Sequence, residues 1–199
     1  MSEPTLREKE IVAHYRRYIG REGRIVRVDG IPEPAPSTIR VMEYAPASEG
    51  DVWAYATVGV SGKPMPDSNR PDSQPNDPRM ELVTYSTTQQ EALIDVLQNL
   101  AAYPFVHNTY LSWTHTIAGM PNSGIVVGSP LTDILLAPPN PAEMAVVRHQ
   151  DGMHTHIVWV VPIYLSEREY IREHGYPALE ELFASREVDA ADLWRPPAV

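Results

Sequence analysis

Apolar and polar positions along this chain switch between two periods, and the switches mark out its elements. Near the N-terminus, Ile11, Tyr15, Tyr18 and Ile19 recur at the spacing of one helical face. Thr5-Leu-Arg-Glu8 ahead of them has the form of a capping box, in which two side chains satisfy orphan backbone donors, and Gly20 supplies a stop. This predicts a helix within residues 1–22 that packs through its apolar stripe. The period then falls to two. Strands are expected over 24–28, 39–44 and 52–60. In the last, Val52, Ala54, Ala56, Val58 and Val60 share one face, while Trp53, Tyr55 and Thr57 take the other. Apolar residues on both faces suit a central strand covered from two sides.

Residues 61–78 break the pattern with five prolines among Asp, Asn and Ser, which predicts a surface loop. Residues 80–85 return to strand. A helix should follow, capped by Ser86 or Thr87 and running through Ala102. Its core stripe is Leu93, Val96, Leu97 and Leu100, and Pro104 is expected to end it. Short apolar segments come next at 125–127, 134–136, 144–147 and 157–163. Ser166-Glu-Arg-Glu169 reads as a second capping box that starts a helix toward His174. Gly175 then separates it from a helix with Pro177 in its first turn, reaching about Arg186. Residues 189–194 add one more turn before Pro196 and Pro197. The sum is one α+β domain over 1–199, a mixed, mostly antiparallel sheet covered by helices. No Gly-rich loop joins a strand to a helix and no βαβ alternation recurs, which excludes the usual nucleotide-binding folds.

Composition sharpens this picture in three places. At 199 residues and 43% hydrophobic, the chain can bury a sizeable core, roughly 70% of its unfolded surface. Cysteine is absent, so disulfides and thiolate sites are excluded. The formal net charge is −10, and lysine occurs only at Lys9 and Lys63, which argues against nucleic acid as a partner. Arg16, Arg17, Arg21 and Arg24 read as a solvated helix end, where cations suit the dipole. No segment approaches the ~20 apolar residues of a membrane span, and the charged start MSEPTLREKE lacks a signal peptide's apolar stretch. No membrane partner and a cytoplasmic location are therefore expected.

Three groups of residues offer chemistry. RHQDGMHTH, from Arg148 to His156, sets His149, Asp151, His154 and His156 within nine residues. In a strand His154 and His156 point the same way, and Asp151-Gly152 is a turn signal that folds His149 back toward them. The spacing matches no established zinc motif such as HExxH. A metal-free polar hairpin is the favoured reading, and a metal-dependent enzyme built on the cluster is the alternative. Glu81 sits between Met80 and Leu82 in an expected interior strand, where a carboxylate needs a partner or protonates. Arg79, Arg40 and His115 are its candidate partners, in a structural ion pair rather than an active site. Ser61 in VGVSGKP only imitates a nucleophile elbow, since position 63 is Lys and prolines follow at once. No catalytic residue and no cofactor is expected.

Several ordered motifs carry a resemblance over about three quarters of the chain, from Trp53 onward. They are ATVGVS, ELVTY, the helix-ending YPF, NTYLSWTH, DILLAPP and VWVVPIYLSER. In this order they resemble the suppressor-of-fused family. The resemblance implies an α/β unit that holds protein ligands and performs no chemistry; animal members join it to a second domain and clamp a peptide by strand addition. Carried over residue by residue, the groove aromatics fall on Tyr103 and Tyr110. An acidic groove position falls on Thr114, which has no charge, so this chain departs from the family's pattern there. Trp113 beside them completes an expected aromatic border, against the plainer reading that these rings close the core. Bacterial single-domain members look like immunity or accessory proteins of toxin systems. The implied partner is a protein or peptide, a toxin among the candidates, and the acidic charge suits a basic one.

Overall fold

The computed structural model describes residues 3–29, 35–36, 38–66, 78–119 and 123–199. Residues 67–77, the middle of the expected proline-rich loop, lie outside that set. Helix α1, Leu6–Ile19, opens on the predicted box: the Thr5 hydroxyl accepts from Glu8 N–H, and the Glu8 carboxylate accepts from Thr5 N–H. Gly20 closes it at φ 78°, a conformation that favours glycine. Strands β1 (Arg24–Asp29), β2 (Ile39–Tyr44), β3 (Trp53–Val58) and β4 (Met80–Ser86) follow, then α2 (Ala92–His107). The remainder comprises β5 (Thr116–Ile117), β6 (Asp133–Ala137), β7 (Val146–Arg148), β8 (His154–Ile163), α3 (Leu165–His174) and α4 (Tyr176–Ser185).

All eight strands enter one sheet, in the order β1-β2-β3-β4-β8-β6-β5, with β7 beside the first half of β8. Every pairing is antiparallel except β4 with β8. Alternation along the strands divides the core in two. On one face Ile39, Val41, Tyr55, Leu82, Val158 and Val160 meet α2 through Leu93, Leu97 and Ala101. The other face is shared. Its first half, with Met42, Ala54, Ala56, Val58 and Val83, is covered by Ile11 and Tyr15 of α1. Its second half, with Leu135, Ala137, Val161 and Ile163, is covered by α3 and α4 through Ile171, Leu179 and Phe183. The mostly antiparallel α+β sheet is therefore as the pattern predicts.

Besides the C-terminal end of α2, taken up below, three boundaries differ from expectation, each for a physical reason. Strand β3 ends at Val58, because Gly59 turns to φ 113° and 60–62 form one turn of 3-10 helix. A side chain at Gly59 would lie 2.2 Å from the Thr38 carbonyl oxygen, so only glycine fits. Helix α2 starts at Ala92 rather than after Ser86 or Thr87. Ser86 remains in β4, and Thr87 N–H donates instead to Ala191 of the C-terminal tail. The second capping box slips by two residues: α3 begins after Tyr164, whose N–H donates to Glu167, while the Ser166 hydroxyl donates to Val199. Glu167 is held in that register by a buried bidentate pair with Arg195 at 2.6 and 2.7 Å.

The two-sided burial of β3 gives a direct test. Val58 is 2% exposed against α1, and burying a lone carboxylate there costs several kcal/mol. That is comparable with a domain's whole stability of about 5–15 kcal/mol. Val58→Asp is expected to be unfolded at 25 °C by circular dichroism; a soluble variant with the wild-type melting temperature would remove β3 from the core.

Candidate protein-binding surface

The residue pattern of α2 decides what it shows to solvent. Leu93, Ile94, Leu97, Leu100, Ala101, Pro104 and Phe105 turn inward, which leaves Tyr103, Val106 and His107 outside. Pro104 does not end the helix. It forgoes one backbone hydrogen bond, but it and Phe105 are buried, and that packing carries the helix three residues further. Asn108 then adopts φ 49°, which asparagine tolerates, and its N–H and that of Thr109 both donate to the Pro104 carbonyl. Leu111 re-enters the core and pins the turn, leaving Tyr110 outside.

Exposure at this end of α2 is therefore a consequence of packing. Tyr103 is 37% exposed, Val106 54% and Tyr110 40%. Each tyrosine leans on a histidine: the Tyr103 ring lies 4.4 Å from that of His107, and Tyr110 5.4 Å from that of His115. Trp113 has a different setting. It is half-buried, stacks on His156 at 4.9 Å and donates from Nε1 to the Ile157 carbonyl at 3.0 Å. On that edge of β8, β7 pairs last with His156 and β6 first with Trp159. The indole thus fills a break between two strands. Thr114 is exposed at φ 70°, and its N–H donates to the Leu136 carbonyl at 2.7 Å, which sets it beside β6. Val106 is the member of this surface that sequence reasoning missed. Its place beside Tyr103 on the outward stripe of α2 was the available signal.

The histidine-rich hairpin does not converge. His149 lies against α1, its Nδ1 2.6 Å from Glu10 and its Nε2 2.8 Å from the Thr155 hydroxyl. His156 is on the opposite face of β8, against Trp113, and His154 shares that face two residues away. Asp151 caps Met153 N–H and pairs with Arg7 at 2.7 Å. Among the described residues, no three His, Asp or Glu side chains are grouped as metal ligands. The N-terminal arginines are likewise engaged, Arg16 with Glu22, Arg21 with Asp51 and Arg24 with Glu43.

Glu81 is fully buried, but its partners are not the cations expected. Arg40 pairs with Glu8, Arg79 donates to the Ser61 carbonyl, and His115 lies at Tyr110. The Glu81 carboxylate instead accepts four hydrogen bonds, from the Thr57 hydroxyl at 2.7 Å, Gly59 N–H and Ser61 N–H at 3.0 Å, and the Ser61 hydroxyl at 2.7 Å. It fastens the turn after β3 onto β4. Burial outweighs these donors and pushes its pKa up to about 7.

These contacts set the group's pH dependence. The unfolded carboxyl titrates near ~4.3, so between there and about 7 the folded state holds the extra proton and stability falls as pH rises. Glu81→Gln keeps the acceptor and supplies an amide toward Thr57. It should stabilise the protein at pH 8 by on the order of 2 kcal/mol, with the gain vanishing near ~pH 4, below the unfolded pKa. Urea denaturation at both pH values measures this. A gain of equal size at both would show that Glu81 carries no raised pKa. Glu81→Leu should destabilise at every pH, because two buried N–H groups lose their acceptor.

Residues 35–196 match the sequence model of the family described as Suppressor of fused protein (SUFU). The chain belongs to that family. Its fold is similar to that of a SUFU homologue from Neisseria gonorrhoeae FA 1090, with a TM-score of 0.74 at 17% identity over 97% of each chain. It is also similar to a chain of the Sufu–Fu complex, with a TM-score of 0.70, 14% identity, and coverage of 98% of this chain and 93% of that one. Drosophila Suppressor of Fused matches with a TM-score of 0.67 at 15% identity; all of this chain aligns, spanning 52% of the Drosophila protein. No curated protein matches. Among the described residues, no helix is long and apolar enough to cross a membrane.

Proposed function

We propose that this chain is a non-enzymatic protein-binding domain whose binding surface is centred on Tyr103 and Tyr110. The observation that carries this reading is the exposure of both rings, with Val106 between them in sequence, at the C-terminal end of α2. Tyrosine offers large contact area, a polar tip and little rotamer entropy to lose, which suits it to anchor a partner. Membership of the suppressor-of-fused family supports the reading, since a relative of similar fold is known in the Sufu–Fu complex, an assembly of proteins. Thr114 is exposed four residues beyond Tyr110 and offers a hydroxyl where a carboxylate would recognise a cation. Trp113 supports it from behind, by fixing the 111–116 segment to β8.

The finer reading is an immunity or accessory protein that captures a toxin. The net charge of −10 supports it, because a basic partner would be drawn in by long-range attraction. The test is affinity capture from the native host with wild type, Tyr103→Ala and Tyr110→Ala, followed by titration of the purified partner. Both variants should melt with wild type, because their rings are exposed, and both should weaken the partner at least about tenfold, the scale of an interface hot spot. Retention of full affinity by both would place the interface elsewhere. A partner whose binding is insensitive to salt would contradict electrostatic capture.

A further inference from the structure

A largely apolar cavity lies on the sheet face away from α2. Helix α4 packs over β6 and β8 through Leu179 and Phe183, but alanines occupy positions where larger side chains would fill the gap. Ala137 in the floor, Ala184 on the helix and Ala190 beyond it leave a cavity of about 540 Å³ open to solvent. Pro138 and Pro139 stiffen one wall. The volume falls within the range of small-ligand sites, about 300–1,000 Å³.

The lining specifies a ligand by charge and shape. Leu135 and Val161 give an apolar floor, and Trp159, Tyr176 and Phe183 contribute aromatic rings, Arg195 already lying over the ring of Phe183. No lysine or arginine lines the cavity, whereas Glu180 and Glu187 do. Among the described residues neither carboxylate has an ion-pair partner, and Glu180 accepts only the Tyr176 hydroxyl, at 3.1 Å. Carboxylates beside aromatic faces favour a cation, since ring quadrupole and anion attract the same charge. The cavities beside α1 and under β1 lack this bias. The one beside α1 carries Lys9, Arg16 and Arg40 with Glu8 and Glu22, and the one under β1 mixes Arg24 and Arg27 with Glu43 and Glu91.

We propose that the cavity between α4 and the β6–β8 face is a binding site for a small organic cation with an apolar body and a single ammonium head. The body lies on Leu135, Val161 and Phe183, and the head sits at the mouth with Glu180 and Glu187. This site is independent of the Tyr103–Tyr110 surface, from which the sheet separates it.

Three probes that share one body test the proposal by isothermal titration: 4-phenylbutylammonium, 4-phenylbutanol and 4-phenylbutyrate. The ammonium should bind saturably, one per chain, at least about fivefold more tightly than the alcohol, with the carboxylate weakest. The double variant Glu180→Gln, Glu187→Gln should reduce the ammonium to the affinity of the alcohol. Ala184→Trp, at an exposed helical position, should block all three while leaving the melting temperature unchanged. Tyr110→Ala should bind the ammonium as wild type does. The proposal is overturned if the ammonium does not saturate, if the three probes bind equally, or if folded Ala184→Trp binds like wild type.

Discussion

The parallel pairing of β4 with β8 joins two antiparallel halves of the sheet, and the rest of the molecule is arranged around it. Strands β1 to β4 form a meander, and β5, β6 and β8 form a second ribbon; four residue pairs from Met80–His156 to Val83–Trp159 connect them. Parallel strands must be buried on both faces, because the crossover between them has to pass over one face and something must cover the other. Here the crossover carries α2 to one face, while α1 and the α3–α4 pair divide the second. At the junction itself the buried polar side chains of β4 have their bonds made. Thr84 donates to the Val160 carbonyl across the junction, and Glu81 gathers four donors. A hydrophobic residue at Glu81 would strand the Gly59 and Ser61 N–H groups, which explains a carboxylate where the core is otherwise apolar.

The junction alone leaves the far half of the sheet loosely connected to α2, and the C-terminal tail supplies the tie. Ala191 accepts from Thr87 ahead of α2, Leu193 enters the α2 core and accepts from Ser129, and Arg195 pairs with Glu167 of α3. A buried ion pair adds little net stability over an apolar equivalent, but removing one partner exposes the cost of the other. The pair therefore fixes where the tail lies. It also explains why α3 starts two residues earlier than Ser166 suggested, since Glu167 serves the tail and the helix start at once.

What could be read in the sequence was whatever repeats locally. The capping box at Thr5, the period-two strands 39–44 and 80–85, and Gly175 with Pro177 between α3 and α4 are all decided by neighbours in sequence. The misreadings all involve distant contacts. Pro104 looked like a stop because its missing N–H is local, whereas the burial of Phe105 that carries the helix past it is not. Thr116–Ile117 is too short to show a period, and exists because β6 offers it an edge. The metal alternative needed His149 to fold back toward His154 and His156, but the hairpin returns it to the odd-numbered face of β8 beside Thr155, while the even-numbered residues face Trp113. Sequence parity was available for β8 alone; the register of β7 on it was not. At the candidate surface the resemblance indicated Tyr103 and Tyr110, yet their exposure depends on Leu111 re-entering the core. The α4 cavity had no sequence signal, since it arises from alanines at 137, 184 and 190 that meet only in the fold.

The sheet keeps the two surfaces apart, and this separation shapes how they could work together. The Tyr103–Tyr110 surface is carried by a helix end and the turn after it, with both rings part-exposed; such a surface gains by burying area against a large partner. The α4 cavity is concave and narrow, and gains by enclosing a small body. A ligand in one can influence the other only through a conformation that both sense, because coupling requires differential affinity for two states. The sheet between them is a poor candidate for two states. Its pairings are continuous from β2 to β6, and Trp113 plugs the one break along β8 that its backbone leaves open. Helix α4 has Leu179 as its one buried side chain, and it lies over the cavity rather than over filled core. Occupancy of the cavity should therefore be felt first by α4 and by the tail beyond it, through Phe183 and the Arg195 guanidinium stacked 4.9 Å from that ring. From there the tail reaches Thr87, at the start of the segment leading into α2, so the path between the two surfaces runs around the sheet rather than through it.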